Sequence, residues 1–139
     1  MLLLDTHVWI WSAEADARRV GRRTRQLLSR AELDDHIRIS PATVFEVTAL
    51  HAAGRLRLAH PVEQWIRRAL ESPGVRIAEL SPAIAIDAGS IPHAALADPM
   101  DRLLVATARQ LDATFLTSDT RILDYASDTG NVRVHDARA

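Results

Sequence analysis

The chain contains no cysteine and no lysine, and aromatic residues make up only 4% of it. Without cysteine, disulfide bonds and thiolate metal ligands are excluded, and a cytoplasmic location is favoured. No apolar run approaches the roughly 18 residues of a membrane-spanning helix, so we expect no transmembrane segment. The opening residues Met1-Leu2-Leu3-Leu4 lack a basic leader and are interrupted by Asp5, a pattern that predicts a strand and not a signal peptide.

Arginine supplies all 17 basic residues, and the formal net charge is −1. GC-rich codon usage is the simplest explanation for the missing lysine, but arginine also makes forked, bidentate contacts with phosphate that lysine cannot make. A nearly neutral balance argues against nonspecific coating of nucleic acid. It leaves room for a local basic patch beside an acidic centre.

Apolar, strand-like segments alternate with helical segments along the chain. Its 139 residues, 47% of them hydrophobic, suit one domain over residues 1–139. The predicted strands are 1–5, 37–40, 75–80, 114–118 and 132–134. Helices between successive strands are expected of a parallel sheet that is covered on both faces. We therefore predict a three-layer α/β/α fold with a central parallel sheet of four to five strands.

Capping residues and proline mark the helix boundaries. Ser40 and Asp98 each precede a proline, which is the arrangement of an N-cap followed by proline at the first helical position. The first helix is expected to be capped by Thr6. A first helix is predicted after Thr6 and a second over about 17–33. The third runs from Pro41 to about Ala53 with Gly54 as terminator, and the fourth follows His60-Pro61 through Trp65 and Leu70 and is ended by Ser72-Pro73-Gly74. Two more run from Pro82 to near Gly89 and from Pro99 to near Leu111.

Four acids occupy places that a parallel sheet would bring together: Asp5, Glu46, Asp101 and Asp119. Asp5 and Asp119 each follow an apolar strand, and they become neighbours at the carboxyl edge of the sheet if the first strand lies next to the fourth. Clustered buried carboxylates repel one another, and Arg102 is the only arginine directly beside any of them. A divalent metal site is the economical explanation.

Each acid also has a purely structural interpretation. Asp5 could cap the helix that follows it, and Asp119 could be a turn residue. Glu46 shares its helix face with mainly apolar residues, so its alternative is a place at the margin of the core. Asp98 is a natural N-cap, whereas Asp101 is favoured by the helix dipole and begins a buried face. We take Asp101 as a direct member of the site and Asp98 as an accessory or capping acid.

Five stretches together resemble a PIN domain, and the resemblance covers essentially the whole chain. They are Leu4-Asp5-Thr6-His7-Val8-Trp9, Ile39-Ser40 through Glu46, Gly54-Arg55-Leu56, the segment from Asp98 to Ala108, and Leu116-Thr117-Ser118-Asp119. The segment that begins at Asp98 is the most specific of them, and the most similar subgroup is the toxins of VapBC toxin–antitoxin pairs. Relatives often place a histidine close before the Asp-Pro pair. Here the histidine is His93, with Ala94-Ala95-Leu96-Ala97 between, and this departure leaves its role open.

The resemblance implies a metal-dependent endoribonuclease that hydrolyses structured cellular RNA such as tRNA or rRNA, with Mg²⁺ or Mn²⁺ as cofactor. By position, the acids that match the catalytic and metal-binding quartet of the family are Asp5, Glu46, Asp101 and Asp119. Asp98 matches a further metal-binding acid. Thr6 and Thr117 are expected to support the site. Carboxylate oxygens suit hard cations of this kind.

The resemblance also implies partners: a small VapB-like antitoxin that wraps the helices around Trp9 and blocks the cleft, and a second copy in a homodimer. Candidate RNA or partner contacts are Arg18, Arg22 and Arg55. Arg18 and Arg22 would stack one turn apart on the predicted second helix, although a solvated face is the simpler alternative. Trp9 and Trp11 point to different sides of their helix, so one is expected in the core and the other at an interface.

Two other functions stay open on the sequence. A metal-dependent phosphatase or a phosphoacceptor aspartate protein can share this general fold. Such proteins typically carry an acid pair near the first strand, and here no second acid follows Asp5 before Glu14. A catalytically silent PIN-like module that binds RNA or protein is the non-enzymatic alternative.

Overall fold

The structure is a computed structural model that describes residues 1–16 and 18–139. Five parallel strands form its central sheet in the order β3-β2-β1-β4-β5. The strands are β1 (Leu2–Leu4), β2 (Ile37–Ile39), β3 (Val75–Ile77), β4 (Thr114–Thr117) and β5 (Val134–Asp136). The predicted parallel sheet and the pairing of the first strand with the fourth are therefore confirmed.

Seven helices connect the strands within the described ranges. They are α1 (Thr6–Ala13), α2 (Arg22–Leu33), α3 (Pro41–Ala52), α4 (Val62–Leu70), α5 (Pro82–Ser90), α6 (Pro99–Leu111) and α7 (Thr120–Thr129). None of these seven helices is both long and apolar enough to cross a membrane.

Separate apolar cores cover the two faces of the sheet. On one face, Leu4 and Ile39 pack in the same cluster as Trp9 of α1 and Trp65 of α4. On the other face, Leu3, Phe115 and Leu104 belong to a second cluster that α6 and α7 complete. Because both faces are covered, the central strand β1 is buried at all three positions, which explains its unbroken leucine sequence. The predicted three-layer α/β/α arrangement is confirmed.

The helix starts at Ser40 and Asp98 follow the predicted capping chemistry. The Ser40 hydroxyl accepts the backbone N–H of Ala42 at 3.0 Å, and the Asp98 carboxylate accepts that of Met100 at 2.8 Å. Gly54, just after α3, has a φ of 71°, which glycine adopts without steric cost. These local signals placed α3 and α6 to within a residue.

The predicted cap of the first helix was wrong. Asp5 is the N-cap of α1, and its Oδ1 accepts the backbone N–H of Thr6 at 2.8 Å. Thr6 is instead the first helical residue, and its buried hydroxyl has no hydrogen-bond partner among the described residues. The structural interpretation of Asp5 as a cap is therefore correct, and it coexists with the position of Asp5 at the sheet edge.

Several other boundaries differ from the prediction. Strand β3 ends at Ile77, three residues before the predicted end at position 80, and helix α7 was not predicted from the sequence. The arginine-rich helix begins at Arg22, so Arg18 lies in the preceding turn and does not stack on Arg22; position 17, where this helix was predicted to begin, is outside the described residues. The last strand is Val134–Asp136, two residues later than predicted. Both ends depend on tertiary contacts, because Gly21 and Thr24 at the start of α2 donate backbone hydrogen bonds to the carbonyls of Ala137 and Ala139.

Candidate active site

Asp5 and Asp119 leave the sheet from neighbouring strands. Leu4 of β1 pairs with Leu116 of β4, so Asp5 and Thr117 emerge next to each other at the carboxyl edge. The Thr117 hydroxyl is fully buried; it donates to Asp5 Oδ2 at 2.6 Å and accepts the backbone N–H of Asp119 at 3.0 Å. One threonine therefore links the two acids.

Asp98 and Asp101 enter from the N-terminal turn of α6. Asp98 is the N-cap of this helix, as predicted. Asp101 is only 8% exposed and lies on the face that also buries Leu104, Val105 and Ala108. Burial raises the pKa of Asp101 to about 7, and the charges of Asp98, Asp5 and Asp119 raise it as well. A carboxyl group of this kind is a member of an acidic cluster and not a solvated surface acid.

Glu46 reaches the same site from α3 in the opposite helical layer. Its side chain is half-buried, between the buried Ala42 and Thr43 and the exposed Ala49. This placement matches the margin-of-core alternative. Nevertheless, the charge of Glu46 raises the pKa of Asp5, so the two carboxylates are close enough to repel each other.

The pKa of Asp5 is shifted by burial, by hydrogen bonds and by neighbouring charges. Burial raises it above the ordinary value, whereas the hydrogen bonds from the Thr117 hydroxyl and the Thr6 backbone lower it. The charges of Glu46 and Asp119 raise it further. Asp5 is thus within electrostatic range of Glu46 and Asp119, and Asp101 is within range of Asp5, Asp98 and Asp119.

Arg121 forms an ion pair with Asp119, and the sequence interpretation missed this counter-charge. The guanidinium of Arg121 donates from Nε to Asp119 Oδ1 at 3.3 Å and from Nη2 to Oδ2 at 3.1 Å. Burial alone would raise the pKa of Asp119, but these bonds and the Arg121 backbone N–H outweigh it and the pKa is lowered. The spacing Asp-Thr-Arg at positions 119–121 was the available clue.

Arg102, the arginine expected beside the acids, has a different environment. Its Nε is buried and has no hydrogen-bond partner in the described part of the chain, although Arg102 directly follows Asp101 in sequence. Adjacent residues on a helix point in directions about 100° apart, which is why sequence proximity did not produce a pair. Arg121, two residues after Asp119, forms the pair instead.

The donor chemistry of the site suits a hard divalent cation. The donor groups are carboxylate oxygens, with the Thr117 hydroxyl behind them. Burial raises the pKa values of Asp5 and Asp101, and repulsion from the neighbouring carboxylates raises them further. Their spacing does not yet complete a ligand set: within residues 1–16 and 18–139, no three acidic or histidine side chains lie close enough together to hold one metal ion. The oxygens of Asp119 are engaged by Arg121 in this arrangement.

The three arginines predicted to contact RNA or a partner are all exposed: Arg18, Arg22 and Arg55. They lie in the turn before α2, at the first residue of α2 and in the loop after α3. None of the three is among the charges that shift the pKa values of Asp5, Asp101 or Asp119.

The two tryptophans of α1 differ in burial: one lies in the core as predicted, and the interface predicted for the other stays a prediction. Trp9 is 2% exposed and packs edge-on against Trp65, with ring centroids 5.0 Å apart. Trp11 is half-buried, and its ring centroid lies 5.8 Å from that of His7. The guanidinium carbon of Arg19 lies 5.5 Å from the centroid of the Trp11 ring. Trp11 also lines a cavity of about 520 Å³ among α1, α2, α4 and strands β1 to β3, and none of the site acids lines it.

Fold and site together define a parallel α/β protein with an acidic cluster at its topological switch point. A sequence profile of the PIN domain matches residues 2–128, and the chain belongs to the PIN domain family. It is 31% identical over 121 residues to ribonuclease VapC22 of Mycobacterium tuberculosis, an alignment that covers 87% of this chain and 88% of that protein.

Solved structures agree on the fold. The VapBC2 complex of Rickettsia felis, bound to a promoter DNA fragment, contains a chain that matches with a TM-score of 0.69 at 13% identity over 96% of both chains. The FitAcB structure from Neisseria gonorrhoeae matches with a TM-score of 0.64 at 26% identity, over 99% of this chain and 98% of that one.

Proposed function

We propose that the protein is a metal-dependent endoribonuclease and the toxin of a type II toxin–antitoxin pair. It would hydrolyse phosphodiester bonds in cellular RNA, with tRNA or rRNA as the expected targets. The observation that carries the proposal is that Asp5, Asp101 and Asp119, from separate elements, lie where the charge of each acts on another, and that the charge of Glu46 also acts on Asp5. The similarity to ribonuclease VapC22 supports the nuclease activity.

Mg²⁺ or Mn²⁺ is the proposed cofactor, and the residues that would hold it are the metal-binding acids predicted from the sequence: Asp5, Glu46, Asp98, Asp101 and Asp119. When bound, the cation would activate water and stabilise negative charge on the phosphate. It would also offset the repulsion among the carboxylates, which otherwise favours protonation of Asp101 near neutral pH.

The chain's own residues would perform defined tasks. Thr117 holds the Asp5 carboxylate through its 2.6 Å hydrogen bond and fixes the backbone of Asp119. Asp101, which burial on the apolar face of α6 gives a pKa of about 7, would be only partly ionised near neutral pH without a cation and would be held in the ionised form by a bound one. The exposed Arg18, Arg22 and Arg55 are proposed to contact RNA phosphates.

A small VapB-like antitoxin is the proposed protein partner, because structurally similar chains occur in VapBC complexes. The cavity lined by Trp11, Leu28 and Ala69 is the surface that we assign to it. Trp9, around which the partner was expected to wrap together with the arginine segment, is 2% exposed, and it also lines this cavity. A homodimer and a cytoplasmic location stay predictions.

Cleavage of purified total RNA tests the nuclease. Wild type and Asp101→Asn are incubated side by side with Mg²⁺, with Mn²⁺ and with EDTA, after removal of any co-purifying antitoxin. We expect discrete fragments from wild type that require both the cation and Asp101. Intact RNA in every lane, with a folded protein, would count against the proposal.

A catalytically silent binding module is the second candidate. It is favoured by the spacing of the acids, since no three acidic or histidine side chains in the described residues lie close enough for one cation. Calorimetric titration with Mn²⁺ separates the two functions: the nuclease binds the cation, and the silent module does not. Membership of the PIN domain family argues against the phosphatase alternative.

A further inference from the structure

Two short segments of the chain contain the same ion-pair geometry. In Asp119-Thr120-Arg121, the carboxylate accepts the backbone N–H, Nε and Nη2 of the arginine two residues later at 2.9, 3.3 and 3.1 Å. In Asp136-Ala137-Arg138, the corresponding three distances are all 3.0 Å. Both guanidinium groups are well exposed. The local fork is therefore a repeated backbone-and-side-chain arrangement and does not by itself indicate a role.

The electrostatic surroundings of the two arginines differ. Among the described residues, Asp136 is the only acid whose charge raises the pKa of Arg138. The pKa of Arg121 is raised by its hydrogen bonds to Asp119, and also by the charges of Asp101 and Asp98. Arg121 is thus the member of the pair whose positive charge faces the acidic cluster.

The fork also engages both oxygens of Asp119. Oδ1 accepts the backbone N–H and Nε of Arg121, and Oδ2 accepts Nη2. A cation that used Asp119 as a ligand would compete with the guanidinium for the same oxygens. The side chain of Arg121 is 73% exposed, so it can leave Asp119 without disturbing the core. Once released from Asp119, the planar guanidinium of Arg121 would lie at the edge of the site and could donate two hydrogen bonds to a pair of phosphate oxygens.

We infer that Arg121 is an exchangeable counter-charge of the site: it neutralises Asp119 in the resting protein and transfers to a phosphate of the RNA when a divalent cation takes Asp119. This role rests on the proposed function, and it adds a positioning residue that the acidic motif does not contain. It predicts that removal of Arg121 has opposite effects on two binding equilibria. Cation affinity rises because a competitor is lost, and RNA affinity falls because a phosphate contact is lost.

The test compares wild type with Arg121→Ala, Arg121→Lys and the matched control Arg138→Ala. Mn²⁺ affinity is measured by calorimetry. RNA affinity is measured by fluorescence anisotropy in Mn²⁺ with a short labelled single-stranded RNA of mixed sequence, at several salt concentrations. The probe carries non-hydrolysable methylenephosphonate linkages, so that every protein keeps Asp101 as a proposed cation ligand and cleavage does not consume the RNA. Circular dichroism and thermal melting establish that each variant is folded.

For Arg121→Ala we expect Mn²⁺ binding to tighten by about two- to fivefold, the range of an exposed ion pair. RNA binding should weaken by about tenfold, and the slope of log affinity against log salt should decrease by about 0.7 for one lost single-strand phosphate contact. Arg138→Ala should match wild type in both experiments. Arg121→Lys, which keeps the charge but not the fork, should fall between and serves as the test variant if Arg121→Ala does not fold.

Equal Mn²⁺ affinities for wild type, Arg121→Ala and Arg138→Ala would overturn the inference, since Arg121 would then not compete for Asp119. An unchanged RNA affinity and salt slope in Arg121→Ala would overturn it as well. If wild type binds both Mn²⁺ and RNA while Arg121→Ala is unaltered, the proposed function stands without this residue. If wild type binds neither, both proposals fail.

Discussion

The hydroxyl of Thr117 donates to the carboxylate of Asp5 at 2.6 Å across 112 positions of sequence. The bond exists because β1 and β4 are neighbours and end in register. The same hydroxyl oxygen accepts the backbone N–H of Asp119 at 3.0 Å, so a single buried group sets the relative positions of two acids. Thr117 is accordingly the side chain on which the geometry of the site depends most directly.

Replacement of Thr117 by valine should disturb the relative positions of Asp5 and Asp119 without changing any charged residue. Valine keeps the β-branched shape but leaves the Asp119 N–H without its partner and removes a donor from Asp5. We expect the free energy of unfolding to fall by about 1–3 kcal/mol and cleavage to slow by about ten- to hundredfold. Urea unfolding and RNA cleavage rates measure the two effects.

Two controls belong with this variant. Thr117→Ser retains the hydroxyl and should keep most of the activity. Thr107→Val removes another buried hydroxyl, which donates to the Leu103 carbonyl within α6, and should leave cleavage unchanged. A Thr117→Val protein that cleaves as fast as wild type would show that the link is dispensable.

Asp101 should make the stability of the cation-free protein depend on pH. Its pKa is raised from 3.8 to about 7 in the folded state, so the folded protein binds more protons than the unfolded chain between these values. The stabilisation from the protonated form is therefore complete below about pH 4 and is lost as the pH rises through about 7. Asparagine at this position cannot ionise, so Asp101→Asn should gain stability relative to wild type over that range.

The gain is at most about 4 kcal/mol, because one pKa unit corresponds to about 1.4 kcal/mol. It is measured as the difference between wild type and Asp101→Asn in urea unfolding with EDTA at pH 4, 6 and 8. Asp128→Asn, an exposed site on α7, controls for a general effect of charge removal. A difference that does not change with pH would contradict the raised pKa.

Asp98 and Asp101 should respond differently to the same substitution. Asparagine caps helices about as well as aspartate does, so Asp98→Asn should preserve the hydrogen bond to Met100 N–H and reduce cleavage only mildly. Asp101→Asn should abolish cleavage, because Asp101 is not the cap of α6 and its proposed role requires a charge. Asp98→Ala should also lower stability by about 1 kcal/mol. Equal losses of RNA cleavage in the two asparagine variants would make Asp98 a full member of the catalytic set.

Gly21 should be intolerant of a side chain. A Cβ atom there would overlap the carbonyl groups of Arg138 and Ala139, whose chain segment accepts backbone hydrogen bonds from Gly21 and Thr24. We expect Gly21→Ala to lower the melting temperature by several degrees, since about 1 kcal/mol shifts a domain of this size by about 2–8 °C.

Gly89 offers the matched control for this substitution. It lies within α5, and no atom of the described residues beyond its own helical surroundings would contact its Cβ within 4 Å. Gly89→Ala should therefore stabilise the protein by about 0.5–1 kcal/mol through helix propensity. Both variants are compared by thermal melting. If Gly21→Ala and Gly89→Ala both lower the melting temperature, the contact at Gly21 has no specific role.

Local chemistry accounts for the parts of the fold that were predicted closely. Ser40-Pro41 and Asp98-Pro99 carry their own capping groups, so α3 and α6 begin where the sequence indicates. The start of α2 was misplaced because Gly21 has no capping side chain, and its hydrogen-bond partners come from the far end of the chain. Strand β5 was misplaced for a related reason, since its limits follow from pairing with β4.

The sequence by itself determined the parallel α/β class and the helix starts at Ser40, Ser81 and Asp98, and it singled out the candidate acids, because strand hydrophobicity, capping and residue type are local properties. Only the tertiary structure decided that Thr117 bonds to Asp5, that Asp101 is enclosed with a pKa of about 7 and that Arg121 pairs with Asp119. Those relationships arise from the order of strands and the direction of side chains at the sheet edge. They join residues whose spacing along the chain carries little information about their separation in space.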